Sequence, residues 1–301
     1  MTPFDRRLLR RRRDRAAAGL EAHDFLIREA AERLADRLDD VRRKFPLTLD
    51  LGCHGGQMAT VLAGRGGIER LIQCDLSPAM ARRAAAGGDP SLAADEEFLP
   101  FAKESFDLVL SCLDLHWVND LPGALLQIRQ ALKPDGLFLA ALFGLGTLNE
   151  LRDCLIEAEV ELKGGASPRV SPFADARDGA GLLQRAGFAL PVADVETVTV
   201  TYPDALALMR DLGGMGESNV ARARSDRFAG RELFGRAAAL YAERHGEAGG
   251  RVPARFRLLF LTGWAPHESQ QQALRPGRAH RRLADALGTV ERKTGDRARP
   301  K

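Results

Sequence analysis

Hydrophobic positions in the first half of the chain recur at two periods. Phe25, Leu26, Ala30, Leu34, Leu38 and Val41 follow helical spacing over 21–44, a run that stops before Pro46. The apolar run 47–51 that follows is too short for a helix and ends in the turn Gly52-Cys53-His54-Gly55-Gly56. This pattern predicts a strand, a helix to about residue 63, and a second strand over 68–74 that closes on Asp75. Ser77-Pro78 then supplies an N-cap and a proline at the first helical position. Further strands are predicted at 91–94, 106–111 and 137–143. A helix at 121–132 and the turn Lys133-Pro134-Asp135-Gly136 precede the last of these.

Strands alternating with helices predict an α/β fold with a parallel sheet and right-handed crossovers. After Phe143 the pattern changes. A helix at 147–162, a loop from Gly164 to Pro172 and a helix to Ala186 lead to two long strands at 192–202 and 255–264. The residues between those strands are mostly helical. The pair is expected to close one sheet edge antiparallel, with the intervening helices as a cap. The chain therefore divides into a basic N-terminal segment and helix (1–44), a core (45–203), a helical cap (204–254), a last core strand (255–265) and a basic tail (266–301) expected to be flexible.

Composition narrows the function classes. With 301 residues and 45% hydrophobic content the chain can bury a full core, which excludes global disorder. The formal net charge is only +3, and its basic excess is local, in Arg6, Arg7, Arg10 to Arg13, Arg15 and the tail, so no nucleic-acid partner is expected. No apolar run reaches the ~18 residues of a membrane span. The N-terminal charges lack the apolar stretch of a signal peptide. The four cysteines show no C-x-x-C spacing, and three fall in or beside strands or the glycine turn, where a reduced thiol serves as a small hydrophobe. A reducing compartment, the cytoplasm, is the expected location.

Ligands of parallel α/β sheets collect at the carboxyl ends of the strands, which directs the search for chemistry there. Gly52 and Gly56 suit positions where a side chain would collide with a ligand or strain the turn. Either His54 takes a positive φ, which histidine tolerates better than most residues, or Gly55 absorbs the strain. Asp75, at the tip of the second strand, can hold both hydroxyls of a ribose. Asp50 either anchors turn amides or binds a ligand amine. Asp95 and Glu96 are either acceptors for a base or a solvated acidic loop. His116, with an unperturbed pKa near neutrality, is a candidate general base, and Trp117 is expected to wedge the helix beginning at 121. His245-Gly246-Glu247 matches half of a two-histidine, one-carboxylate iron set but lacks its β-rich context, and is read as coincidence.

The turn Asp50-Leu51-Gly52-Cys53-His54-Gly55-Gly56, with Cys74-Asp75 after it, resembles that of class I S-adenosylmethionine (SAM) methyltransferases. The resemblance implies a Rossmann-like, seven-stranded, mostly parallel sheet with a helical cap inserted between the last two strands. It also implies SAM held by Asp50, Gly52, His54, Gly56, Asp75, Leu76, Asp95, Glu96 and Ser111. His54 departs from the pattern, which has glycine there. The Asn-Pro-Pro-Tyr motif of amino-group methyltransferases is absent.

From Phe106 onward a narrower resemblance is carried by Leu115-His116-Trp117-Val118-Asn119-Asp120-Leu121-Pro122, by Leu132 to Gly136, and by Ser167-Pro168 with Ser171-Pro172-Phe173. Gly214-Met215-Gly216-Glu217-Ser218-Asn219 and Gly263-Trp264 with His267-Glu268-Ser269-Gln270 add to it. These resemble the methyltransferase-like assembly factors of respiratory complex I, over roughly Phe4 to Gln270. That implies a complex I subunit as protein substrate, modified at an arginine by methylation or hydroxylation. His116 and Glu217 are the catalytic candidates, with Glu217 and Asn219 placed to hold a guanidinium. The location becomes the mitochondrial matrix in a eukaryote, with peripheral membrane contact through the basic ends. The chain is also similar to the malonyl-carrier-protein methyltransferases of biotin synthesis, and a non-catalytic assembly chaperone is the remaining class.

Overall fold

In a computed structural model, residues 2–171, 173, 175–271, 285 and 287–290 are described. Seven strands form one sheet in the order β3-β2-β1-β4-β5-β7-β6. β1 (Leu47–Leu51), β2 (Arg70–Asp75), β3 (Ser91–Ala93), β4 (Phe106–Cys112) and β5 (Leu132–Phe143) pair in parallel. β7 (Val252–Trp264) runs antiparallel to β5 and to β6 (Ala189–Tyr202), which closes the edge as the two long apolar runs predict.

Side chains of β4 and β5 alternate between two cores, as the two-residue period of a strand requires. Leu108, Leu110, Leu137 and Leu139 face one core, while Val109, Phe138 and Ala140 face the other. Against the first face pack α2 (Phe25–Asp39), α3 (Gln57–Val61), α4 (Pro78–Ala85), α6 (Asn149–Lys163), α8 (Ala205–Gly214) and α9 (Gly230–His245). Against the second pack α5 (Leu121–Ala131) and α7 (Ala176–Arg185). The stripe of α2 reads Leu26, Ile27, Ala30, Ala31, Leu34, Ala35 and Leu38, all buried, whereas Phe25 stays exposed.

The starts of three strands differ from the sequence pattern. The turn Lys133 to Gly136 does not separate α5 from β5 but sits as an irregularity inside β5, where pairing jumps from Phe106↔Leu132 to Leu108↔Leu137 and Asp135 takes φ +62°. β7 begins at Val252 rather than 255, and β6 at Ala189 rather than 192, because each finds its partner across the full edge.

The start of the chain carries a helix that the hydrophobic pattern did not bring out. The basic segment folds as α1 (Arg6–Ala16), capped by Asp5 accepting from the Leu8 amide at 2.9 Å. Its residues Leu9, Arg13 and Ala16 are buried, so this charge run is not simply a solvated face. Leu9 joins Phe4, Trp117 and Val220 in a small core of its own. A two-stranded bridge, Phe4 to Ala221, fastens the start of α1 to the segment after α8.

Residues up to His267 form one compact unit. The second, 268–301, takes in most of the tail expected at 266–301, the greater part of which lies outside the described residues. Among the described residues no helix is long and apolar enough to cross a membrane. The four cysteines are buried and unbridged.

Candidate active site

The turn after β1 is built from left-handed residues. Gly52 has φ +77°, His54 +48° and Gly56 +88°, so His54 takes the strain itself and Gly55 does not. The Gly52 and Cys53 amides donate to the Cys74 carbonyl at 2.8 and 2.9 Å, which ties the turn to the end of β2. The His54 amide donates to Asp75 Oδ2 at 3.1 Å, and its Nε2–H donates to the Cys112 carbonyl at 3.0 Å. Histidine therefore laces β1, β2 and β4 together at the position where the methyltransferase pattern has glycine.

Asp75 holds the Ser77 amide on its other oxygen at 2.7 Å, while Ser77 Oγ caps α4 by accepting from Met80. Asp50 is fully buried, and neither of its oxygens has a partner, so it does not anchor the turn amides. Burial, reinforced by Asp75 and Asp114, pushes its pKa up to about 8. The folded carboxyl thus keeps its proton over a range where the unfolded one, with a normal value of 3.8, has lost it. Between those values the folded state binds more protons, so Asp50 lowers stability progressively as pH rises. Asp50→Asn cannot titrate. Its stability relative to the native chain is expected to improve between about pH 4 and about pH 8 and then level off, as read by urea unfolding. A difference that does not change with pH would give Asp50 an ordinary pKa.

Two arginines of α1, one helical heptad apart, reach into this crevice. Arg13 is fully buried; Nη1 lies 2.5 Å from Asp114 Oδ1 and 3.6 Å from Asp75 Oδ2, and Nη2 lies 4.0 Å from Glu217 Oε1. Burial opposes its charge, but Asp114, Asp75 and Glu217 more than restore it and raise its pKa. Burial opposes the charge of Asp114 as well, and Arg13, Arg6 and His54 outweigh it. The Asp114 side chain sits over Gly52, where a Cβ would overlap its carboxylate. Arg6 pairs with Asp95 at 2.7 Å and with Glu96, which is itself buried. Burial and Asp114 push Glu96 up to about 8 against the pull of Arg6 and Arg13. Asp95 also accepts from the Glu97 amide, so these acids form a paired cluster and not a solvated loop. Leu76 packs beside the Phe4–Trp117 core, and Ser111 Oγ is buried without a partner.

Glu217 organises the other side. One of its oxygens accepts from His116 Nε2 at 3.0 Å and from Trp117 Nε1 at 2.8 Å. Burial would raise its pKa, but His116 and Arg13 hold it below the usual carboxylate range. His116 Nδ1 is buried without a hydrogen-bond partner. The Asn219 side chain accepts from the Ala221 amide and donates to the Pro168 carbonyl. Behind Trp117 and Glu217 opens a cavity of about 390 Å³, floored by Phe143, Leu151, Leu155, Met209 and Phe234, with Arg12, Arg169 and Arg224 among its lining residues. Among the described residues no three His, Cys, Asp or Glu side chains converge as a metal site.

A methyltransferase-domain family matches residues 49–140. Over 289 residues the chain is 45% identical to "Arginine-hydroxylase NDUFAF5, mitochondrial" of Danio rerio, covering 95% of this chain and 89% of that one. The chain belongs to the NDUFAF5 arginine-hydroxylase family. A malonyl-[acyl-carrier protein] O-methyltransferase of Methylovorus is 34% identical over 87% of this chain and 90% of its own. Among solved structures, the YcgJ protein of Bacillus subtilis matches with a TM-score of 0.56 at 14% identity, over 79% of this chain and 98% of that one, which speaks to the fold alone.

In this member of the NDUFAF5 family, the structure brings Asp50, His54, Asp75 and Ser111 to one crevice, and His116 and Glu217 to its neighbouring wall. Sequence reasoning missed Arg6, Arg13 and Asp114. The signal was present in the seven-residue spacing of Arg6 and Arg13 around the apolar Leu9, which marks them as one face of a helix.

Proposed function

We propose that the chain binds SAM across the carboxyl ends of β1, β2 and β4 and modifies an arginine of a protein client, a respiratory complex I subunit under assembly. The observation that carries this reading is a line of buried acceptors without partners. Both oxygens of Asp50, Ser111 Oγ, Asp114 Oδ2, Glu96 Oε1 and Glu217 Oε1 are orphaned at the ligand-collecting end of the sheet. Such groups cost stability unless donors reach them.

SAM carries the matching donors: an ammonium for Asp50, ribose hydroxyls for Asp75, and an adenine amine for Glu96 and Asp95. Asp114, which fills the space beside Gly52, and Arg13, which is paired with it, withdraw to admit it. When bound, SAM supplies an electrophilic methyl group. Glu217 holds His116 with Nδ1 available as a base, and its own second oxygen meets an incoming guanidinium. The arginine stem lies along the apolar floor of the cavity. The relatives' name specifies hydroxylation, whereas the fold is that of methyl transfer.

Mass spectrometry of the respiratory complex I subunits from cells with and without this gene tests the reading. One arginine is expected to carry a single extra oxygen, or a single extra methylene, only when the gene is present. An unmodified arginine in wild-type cells would overturn it. A non-catalytic assembly chaperone is favoured by one observation, the filling of the crevice by Arg13 and Asp114. Calorimetric titration with SAM separates the two, because a chaperone of that kind takes up no SAM.

A further inference from the structure

The cavity behind Glu217 presents a conflict of charge. Its inner wall offers a carboxylate, but its lining includes three guanidiniums, from Arg12, Arg169 and Arg224. Arg169 is neutralised by Glu159, which accepts from its Nε at 3.1 Å. Arg12 is not neutralised. It donates to the Asn219 backbone carbonyl, and no ion pair within 4 Å joins it to a described acid. Arg224 donates to the Ala221 carbonyl at 3.0 Å, and its one ion pair among the described residues is with Asp226, at 3.7 Å, which is almost fully exposed. Burial first, and then the neighbouring charges of Arg224 and Arg15, lower the pKa of Arg12 against the pull of Asp5. A second cavity of about 470 Å³ shares Arg12 and Ser218 with the first and adds Arg15 and His23. The bridge from Phe4 to Ala221 holds α1 and the 219–224 segment together, so these charges form a fixed arrangement.

An arginine-bearing client approaching this wall meets repulsion unless it brings its own negative charge. We infer that Arg12 and Arg224 select the client: they bind a carboxylate of an Asp or Glu within a few residues of the target arginine, while that arginine enters toward Glu217. This rests on the arginine reading above and adds the sequence context that it accepts. Guanidinium–carboxylate pairs at such a partly desolvated rim give orientation and specificity.

Fluorescence anisotropy with labelled nonapeptides carrying a central arginine tests the inference on the full chain. Flanking residues are glutamate, glutamine or lysine in otherwise identical apolar peptides. Glutamate flanks are expected to bind about tenfold more tightly than glutamine flanks, with lysine flanks weakest, and the advantage should shrink as salt rises. In Arg224→Glu, at a solvent-accessible position, the order should invert; in Arg12→Gln the advantage should fall. Equal binding of glutamate and glutamine peptides to the native chain would overturn the inference, and so would a preference that survives both substitutions. A parallel series with glutamine in place of the central arginine separates this from the arginine reading. If the glutamate preference persists there without loss of affinity, the rim selects acids while the arginine assignment of the pocket fails.

Discussion

Asp75→Ala is expected to weaken SAM binding by about 10- to 100-fold, the loss of two ribose hydrogen bonds worth roughly 1.5–3 kcal/mol. The structure adds a second consequence. Asp75 accepts from the Ser77 amide at 2.7 Å and from the His54 amide at 3.1 Å, both in buried surroundings. Alanine strands both donors, so the thermal midpoint should fall as well. Asp75→Asn keeps one carbonyl acceptor and separates the two effects. It should recover much of the stability and little of the affinity, because a ribose diol needs an acceptor for each hydroxyl. Calorimetric titration beside a melting curve reads both quantities. Unchanged affinity in a folded Asp75→Ala variant would move the ribose away from β2.

The sheet was legible in the sequence because its signals are local. Strand runs of five to seven residues, the Ser77-Pro78 cap and the two long runs at the edge each declare themselves within a short window. Positive φ at Gly52 and Gly56 follows from the same local logic, since only glycine enters those conformations freely. What escaped was pairing between distant segments. Arg13 meets Asp114 across 101 positions of sequence, and Glu217 meets His116 across the same separation. The spacing of Arg6 and Arg13 about Leu9 marks one face of α1, but nothing within either window names the distant acid that each partner meets.

The same distance explains Asp50 and Asn219. Asp50 looked equally suited to anchoring the turn or to binding a ligand amine. Its two unpartnered oxygens became visible only when the Cys74 carbonyl of β2 and the Asp75 carboxylate took the turn amides. Asn219, expected beside a guanidinium, lines the cavity while its side chain holds the Ala221 amide and the Pro168 carbonyl, a pairing no local pattern announces. Glu217, two residues away, kept one oxygen free.

Arg13→Gln is expected to lower stability without ligand and to strengthen SAM binding. The native guanidinium is fully buried, with Asp114 at 2.5 Å, Asp75 at 3.6 Å and Glu217 at 4.0 Å. Removing one partner from a buried ionic cluster leaves the other charges uncompensated, a loss of about 3–5 kcal/mol. Yet Arg13 is loosely fitted, since its Nε and Nη2 find no acceptor. A guanidinium retained purely for packing would be expected to satisfy more of its five donors. SAM brings its own positive charge to the same acids, and in Arg13→Gln it no longer has to displace a resident cation. Binding free energy that native protein loses in breaking the Arg13–Asp114 pair then appears as affinity, and ligand-induced stabilisation grows with it. Melting curves with and without S-adenosylhomocysteine should show a lower starting midpoint and a larger rise than in the native chain. If affinity falls instead, Arg13 grips the ligand, and α1 closes over SAM rather than giving way to it.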